Sequence, residues 1–191
     1  MTIAERPVGQ RTCLYGTTAL GVVMDRMARQ AAGLLADHER VAVVGILRRG
    51  APLAERLTAL MVRRYGLRPP LRLDLSVKRY ADDLTLLHPQ TQLTEDARHA
   101  AIDLAGHALL VVDDVLYTGH SLLRVLEYLA RKQPAEIRVA VLADRGVARL
   151  PLHADIVGMR LDIAPGDVIE CNVPPYEDEF KIELLQLPRS A

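Results

Sequence analysis

Apolar positions along this chain fall into two textures that alternate with each other. Residues 41–47, 109–112 and 137–142 are nearly unbroken aliphatic runs. Lacking polar alternation, they predict strands buried on both faces, as in a parallel sheet. Between them, residues 18–35 carry Leu20, Val23, Met24, Met27, Ala31 and Leu34 at helical spacing, which predicts an amphipathic helix packed on that sheet. A second helix is expected from Pro52, near its first turn, to Tyr65, and a third from Leu122, Val125, Leu126 and Leu129. Residues 71–77 alternate apolar and polar, as an edge or half-exposed strand does, and residues 181–187 predict one further strand. Pro134, Pro165-Gly166-Asp167 and Pro174-Pro175 punctuate these elements. The fold class expected is α/β, a central, mostly parallel sheet flanked by helices.

Composition keeps this picture. At 191 residues, 50% hydrophobic and 4% aromatic, the chain suits one domain with a sizeable core. The first ten residues lack a charged-then-apolar leader, and no apolar run nears the roughly 20 residues of a membrane span. A cytoplasmic protein is expected. Cys13 and Cys171 have neither metal nor redox spacing, and the six histidines form no ligand pattern. Small thiols in a reducing compartment account for the two cysteines.

Charge changes the picture more. The formal net charge is zero, yet residues 48–79 hold nine Lys/Arg against Glu55 and Asp74, while residues 167–183 hold six acids against Lys181. The basic stretch could meet phosphates or RNA, or be a solvated helix face that pairs with another subunit.

Chemistry concentrates at residues 109–121. The run Leu109-Leu110-Val111-Val112 ends in Asp113-Asp114, and after Val115-Leu116-Tyr117 a Thr118-Gly119-His120-Ser121 turn opens the third helix. Gly119 permits close backbone approach, Thr118 and Ser121 offer hydroxyls, and the first N–H groups of a helix lack internal partners. Such a turn suits a phosphate. Paired carboxylates at a strand's carboxyl end can accept hydrogen bonds from a diol or hold a hydrated divalent cation. Phosphate at one end and diol at the other describe a ribose 5-phosphate. A plain βα turn with Ser121 as N-cap would leave the acidic pair merely exposed.

With its aliphatic run, Asp-Asp, Val-Leu-Tyr and Thr-Gly-x-Ser, this stretch resembles the PRPP-binding signature of type I phosphoribosyltransferases, and Val-Val-Asp-Asp-Val-Leu-Tyr-Thr-Gly resembles the PyrR family of pyrimidine-operon regulators and uracil phosphoribosyltransferases. The resemblance runs over about residues 41–158. Gly45-Ile46-Leu47-Arg48-Arg49-Gly50 is similar to the family's Gly-Ile-Lys-Thr-Arg-Gly, which lies against the pyrophosphate of PRPP. Lys78-Arg79-Tyr80-Ala81-Asp82-Asp83-Leu84 resembles the Tyr-Arg-Asp-Asp-Leu that begins a mobile flap. Residues 142–146, Leu-Ala-Asp-Arg-Gly, and 150–158, Leu-Pro-Leu-His-Ala-Asp-Ile-Val-Gly, resemble segments on the nucleobase side.

The resemblance implies a single phosphoribosyltransferase domain over 1–191, with a flap at about 78–107 and a small hood formed by the N-terminal segment and 155–191. It implies PRPP binding by Asp113, Asp114, Val115, Leu116, Tyr117, Thr118, Gly119, His120, Ser121, Arg48, Arg49 and Gly50. Catalytic roles fall to Asp113, Asp114 and Arg49, flap roles to Arg79, Asp82 and Asp83, and base binding to Asp144, Arg145, Ile156 and Val157. Mg2+ would enter with PRPP and meet Asp113 and Asp114 indirectly. The implied reaction is uracil plus PRPP to UMP and pyrophosphate. A different class, an RNA-binding regulator of an mRNA leader with a nucleotide as effector, remains beside it, as does binding without turnover. A homodimer or higher homo-oligomer is expected.

Departures from the family pattern bear on these roles. Leu47 and Arg48 stand for Lys and Thr, His120 for Arg, Ser121 for Thr and Met159 for Lys. Tyr117 stands where purine-using relatives carry a carboxylate able to handle a purine proton, which favours a pyrimidine. His120 would make local charge depend on pH near neutrality, or lie beside the phosphate with no role of its own.

Overall fold

A computed structural model describes residues 9–78, 92–94 and 102–187. The aliphatic runs form the middle of a six-stranded sheet. Its members are β2 (Val41–Leu47), β3 (Leu71–Lys78), β4 (Gln92–Thr94), β5 (Ala108–Leu116), β6 (Glu136–Asp144) and β7 (Ile156–Arg160), in the order β4-β3-β2-β5-β6-β7. All neighbours pair in parallel except β4, which runs antiparallel to β3 at the edge. With β5 central and every parallel strand pointing the same way, the ends of β2, β5, β6 and β7 share one edge of the sheet.

Among the described residues three helices cover it: α1 (Thr17–Leu35), α2 (Gly50–Tyr65) and α3 (His120–Ala130). Strand alternation splits the core between the two faces. Val43, Leu110, Val112, Ala140 and Leu142 pack with Leu20, Met24 and Met27 of α1 and Leu53, Leu57 and Met61 of α2. Ala42, Val44, Leu109, Val111, Val139 and Val141 pack with Leu122, Val125 and Leu129 of α3. The central strands are therefore apolar on both sides along their middles, because both sides face helices there.

A second sheet has three antiparallel strands in the order β1-β9-β8, from β1 (Gln10–Tyr15), β8 (Val168–Asn172) and β9 (Lys181–Gln186). Ile169, Cys171, Val173, Phe180 and Ile182 of this hood join the same apolar cluster as α1 and α2. The hood is thus continuous with the core. One expected boundary moves: the start of the 155–191 stretch pairs with β6 as β7 of the main sheet, because its aliphatic residues complete the parallel ladder.

Candidate active site

The loops at the carboxyl edge of the main sheet bring the sequence-selected residues together. β5 runs to Leu116, so Asp113 and Asp114 belong to the strand itself. Both are half-buried. One oxygen of each is committed locally: Asp113 Oδ1 accepts the Asp114 N–H at 2.9 Å, and Asp114 Oδ1 accepts the Val115 N–H at 2.9 Å. Burial, reinforced by the neighbouring Asp114 carboxylate, pushes Asp113 well above the ordinary carboxylate range. Alternation sends the two carboxylates toward opposite faces of the sheet. In keeping with this, it is Asp114 whose charge acts on Arg49.

Beyond Tyr117 the chain turns through Thr118 and Gly119 into α3. Gly119 adopts φ +86°, a left-handed conformation in which any side chain would be strained, and it is the N-cap; no side chain caps the helix. Ser121 therefore lies within the first turn rather than at the cap. The Thr118 hydroxyl meets His120 Nδ1 at 3.0 Å. The Thr118 carbonyl accepts the Arg149 N–H at 3.1 Å, which ties this turn to the loop after β6. Uncapped N–H groups, two hydroxyls and an imidazole here form a surface suited to a phosphate.

The 45–50 segment leads from β2 into α2. Its Leu47–Arg48 peptide is cis. Gly50 packs so closely on β5 that a Cβ there would lie 2.5 Å from the Val112 carbonyl and 3.1 Å from Asp113 Cα. Only glycine lets the Arg48-Arg49 loop approach the carboxylates. Arg49 donates to Glu177, through Nε at 3.1 Å and Nη2 at 2.5 Å. Burial opposes the charge of Arg49, but the Glu177 hydrogen bonds and the Asp114 and Glu177 carboxylates outweigh it and raise its pKa.

After β6, Asp144 Oδ1 accepts the Gly146 N–H at 2.8 Å. Arg145 is buried and stacks over the Tyr117 ring, 4.3 Å from its centroid, while its Nη2 donates to the Asp167 carbonyl at 3.0 Å. Its Nε is buried without a hydrogen-bond partner. The other two base-side expectations move. Register places Ile156 beside Ala140 and Arg160 beside Asp144, so Ile156 and Val157 sit below the edge, and Ile156 is enclosed in the core. At the edge itself stand Met159, Arg160 and Leu161, whose N–H donates to the Asp144 carbonyl at 2.9 Å. Arg79, Asp82 and Asp83 lie outside the described residues.

Sequence reasoning placed a turn at Pro174-Pro175 but missed β8, the strand before it. Cys171 is buried among Asp114, Arg49, Asp113 and Glu177, and that burial, with the carboxylates around it, pushes its thiol well up. The acidic stretch at 167–183 was visible as charge, but nothing in its spacing linked Glu177 to Arg49. Among the described residues no three His, Cys, Asp or Glu form a metal-holding group. The adjacent pair Asp113-Asp114 can instead meet a hydrated cation that arrives with a diphosphate.

The phosphoribosyl transferase domain family model matches residues 14–179. The bifunctional protein PyrR of Thermus aquaticus is 37% identical over 147 residues, 76% of this chain and 80% of that protein. The bifunctional protein PyrR of a Roseiflexus species is 38% identical over 155 residues, 81% of this chain and 76% of that one. In fold, the chain is similar to a solved hypoxanthine phosphoribosyl transferase of Trypanosoma cruzi, with TM-score 0.74 over 95% of this chain and 94% of that chain, at 19% identity.

Proposed function

The chain belongs to the phosphoribosyl transferase domain family and is a phosphoribosyltransferase, and from that premise we propose that it converts uracil and PRPP to UMP and pyrophosphate. The observation that carries this reading is the convergence, at one sheet edge, of the Asp113-Asp114 pair, the uncapped 118–121 turn and the Arg49 guanidinium.

Three parts of PRPP meet three parts of the edge. Thr118, Gly119, His120 and Ser121 hold the 5-phosphate and turn binding energy into position. Asp114 and Asp113 accept the ribose hydroxyls and stabilise the positive charge that spreads over the ring as the anomeric C–O bond breaks. Arg49, with Arg48 and the backbone up to Gly50, receives the departing pyrophosphate. A uracil nitrogen forms the new bond to the anomeric carbon and releases its proton. Magnesium belongs to the substrate here, entering with PRPP and neutralising its diphosphate. Asp113 and Asp114 would meet it through water or through the ribose hydroxyls.

Base choice rests on Tyr117 and the β6 loop. The Tyr117 ring lies on the Arg145 guanidinium, so the position offers an aromatic face rather than a proton-handling carboxylate. Val115 and Leu116 carry the strand into this loop, and Arg79, Asp82 and Asp83 keep their proposed flap role. Product formation from PRPP and Mg2+ with uracil, hypoxanthine, guanine, xanthine and orotate tests the reading. UMP from uracil, lost in Asp113→Asn/Asp114→Asn, is expected. Nucleotide from a purine alone, or from no base, would overturn it.

The second reading, RNA-binding regulation with a nucleotide effector, draws on the word bifunctional in the relatives' name. The basic stretch offers it less than its count suggests: Arg49 pairs with Glu177, Arg64 with Asp25, Arg72 with Asp74, and Arg56 lies on Phe180. Binding to a structured leader RNA that weakens steeply with salt would support it. No helix among the described residues is long and apolar enough to cross a membrane. A cytoplasmic homo-oligomer completes the proposal.

A further inference from the structure

The loop that carries Arg48 and Arg49 is gripped from above by the hood. Glu177, in the turn between β8 and β9, uses both carboxylate oxygens. Oε1 accepts from Arg49 Nε at 3.1 Å and Nη2 at 2.5 Å, and Oε2 accepts the N–H of Val173 at 2.8 Å. The Glu177 side chain is 9% exposed, against 34% for Arg49. One residue earlier, the Tyr176 ring lies 5.5 Å from the Arg48 guanidinium. Neighbouring residues of one turn thus hold neighbouring arginines of another.

A guanidinium has five donors in a rigid planar fork. Glu177 engages the Nε–Nη2 edge, which leaves the Nη1 edge for another anion. We propose that Glu177 is the positioning residue for Arg49, fixing one edge of its guanidinium so that the other is presented ready-oriented to the pyrophosphate of PRPP. This rests on the reading above, in which Arg49 meets that pyrophosphate. An unsupported arginine would lose its rotamer freedom on binding, and Glu177 has already removed that freedom. A carboxylate could instead compete with pyrophosphate for the same donors. The anchoring of Glu177 on its own turn, by the Val173 N–H and by burial, favours support over competition, because a competitor has to swing aside.

Calorimetric titration of the full chain with magnesium pyrophosphate, and separately with PRPP, distinguishes these. The proteins are the wild type, Glu177→Gln, Arg49→Ala and the double variant. Glutamine keeps the shape, but its one amide oxygen cannot accept from both the Val173 N–H and Arg49, and its amide nitrogen only donates. Glu177→Gln is expected to weaken pyrophosphate binding about ten- to a hundredfold, and to do nothing further in the Arg49→Ala background. In turnover with uracil it raises KM for PRPP and leaves KM for uracil in place. Unchanged or tighter pyrophosphate binding by Glu177→Gln overturns the inference. So does an equal loss with and without Arg49, which would mark a structural role in the hood and would come with a lowered Tm. If the wild type binds neither pyrophosphate nor PRPP, the proposed function fails and this role falls with it.

Discussion

In the proposed reaction Asp113 has a role that runs against the stability of the fold. Its carboxyl is held well above the ordinary range by burial and by Asp114, so the folded chain keeps a proton that the unfolded chain has already released. Stability therefore falls as pH rises from the unfolded value, about 3.9, through the folded one. Asp113→Asn is neutral throughout and still accepts the Asp114 N–H. Its Tm is expected above that of the wild type at pH 7, by about 2–4 °C for each kcal/mol recovered. The gap should close below about pH 4, where both carboxyls are protonated. Scanning calorimetry from pH 3.5 to 8 reads this directly, and a Tm below wild type at neutral pH would contradict it.

At the scale of elements, strands and helices of strong period were legible, as was β9 of the hood, and its partners β1 and β8 were not. β2, β5 and β6 announce themselves because both faces are buried along a nearly unbroken aliphatic run in each. β1 and β8 mix Arg11, Thr12, Glu170 and Asn172 with apolar residues, because one face of a three-stranded hood meets solvent. The pairing of β1 with β9 joins distant parts of the chain, a relation that local pattern does not carry. Within the site, the turn before α3 could be read because its chemistry is contiguous in sequence. The Arg49–Glu177 pair spans 128 positions and could not. That Ile156 and Val157 lie below the carboxyl edge could not be read for a related reason: a motif fixes a segment but not its register in the sheet. The close approach of α2 to β5 gives an expected outcome at this scale. Gly50→Ala forces a Cβ against the Val112 carbonyl, costing about 1–3 kcal/mol in urea unfolding and lowering PRPP affinity as the Arg48-Arg49 loop withdraws. Unchanged stability and affinity together would refute it.

Across the whole molecule, the sheet keeps its two apolar clusters apart. Leu20 of α1 belongs to one and Leu129 of α3 to the other, and both are fully enclosed. Leu20→Ala and Leu129→Ala are each expected to cost about 2–5 kcal/mol, with the double variant matching their sum within about 0.5 kcal/mol. Chemical denaturation of the three variants checks this, and a larger departure would mean that the sheet transmits repacking from one face to the other. The order of the hood has a different kind of consequence. β9 lies between β1 and β8; Gln10 sits opposite Gln186. Pairing β1 with β9 thus closes a loop that contains the whole of the main sheet. The hood cannot assemble from neighbours in sequence, and it comes together only around a sheet that holds its strands close.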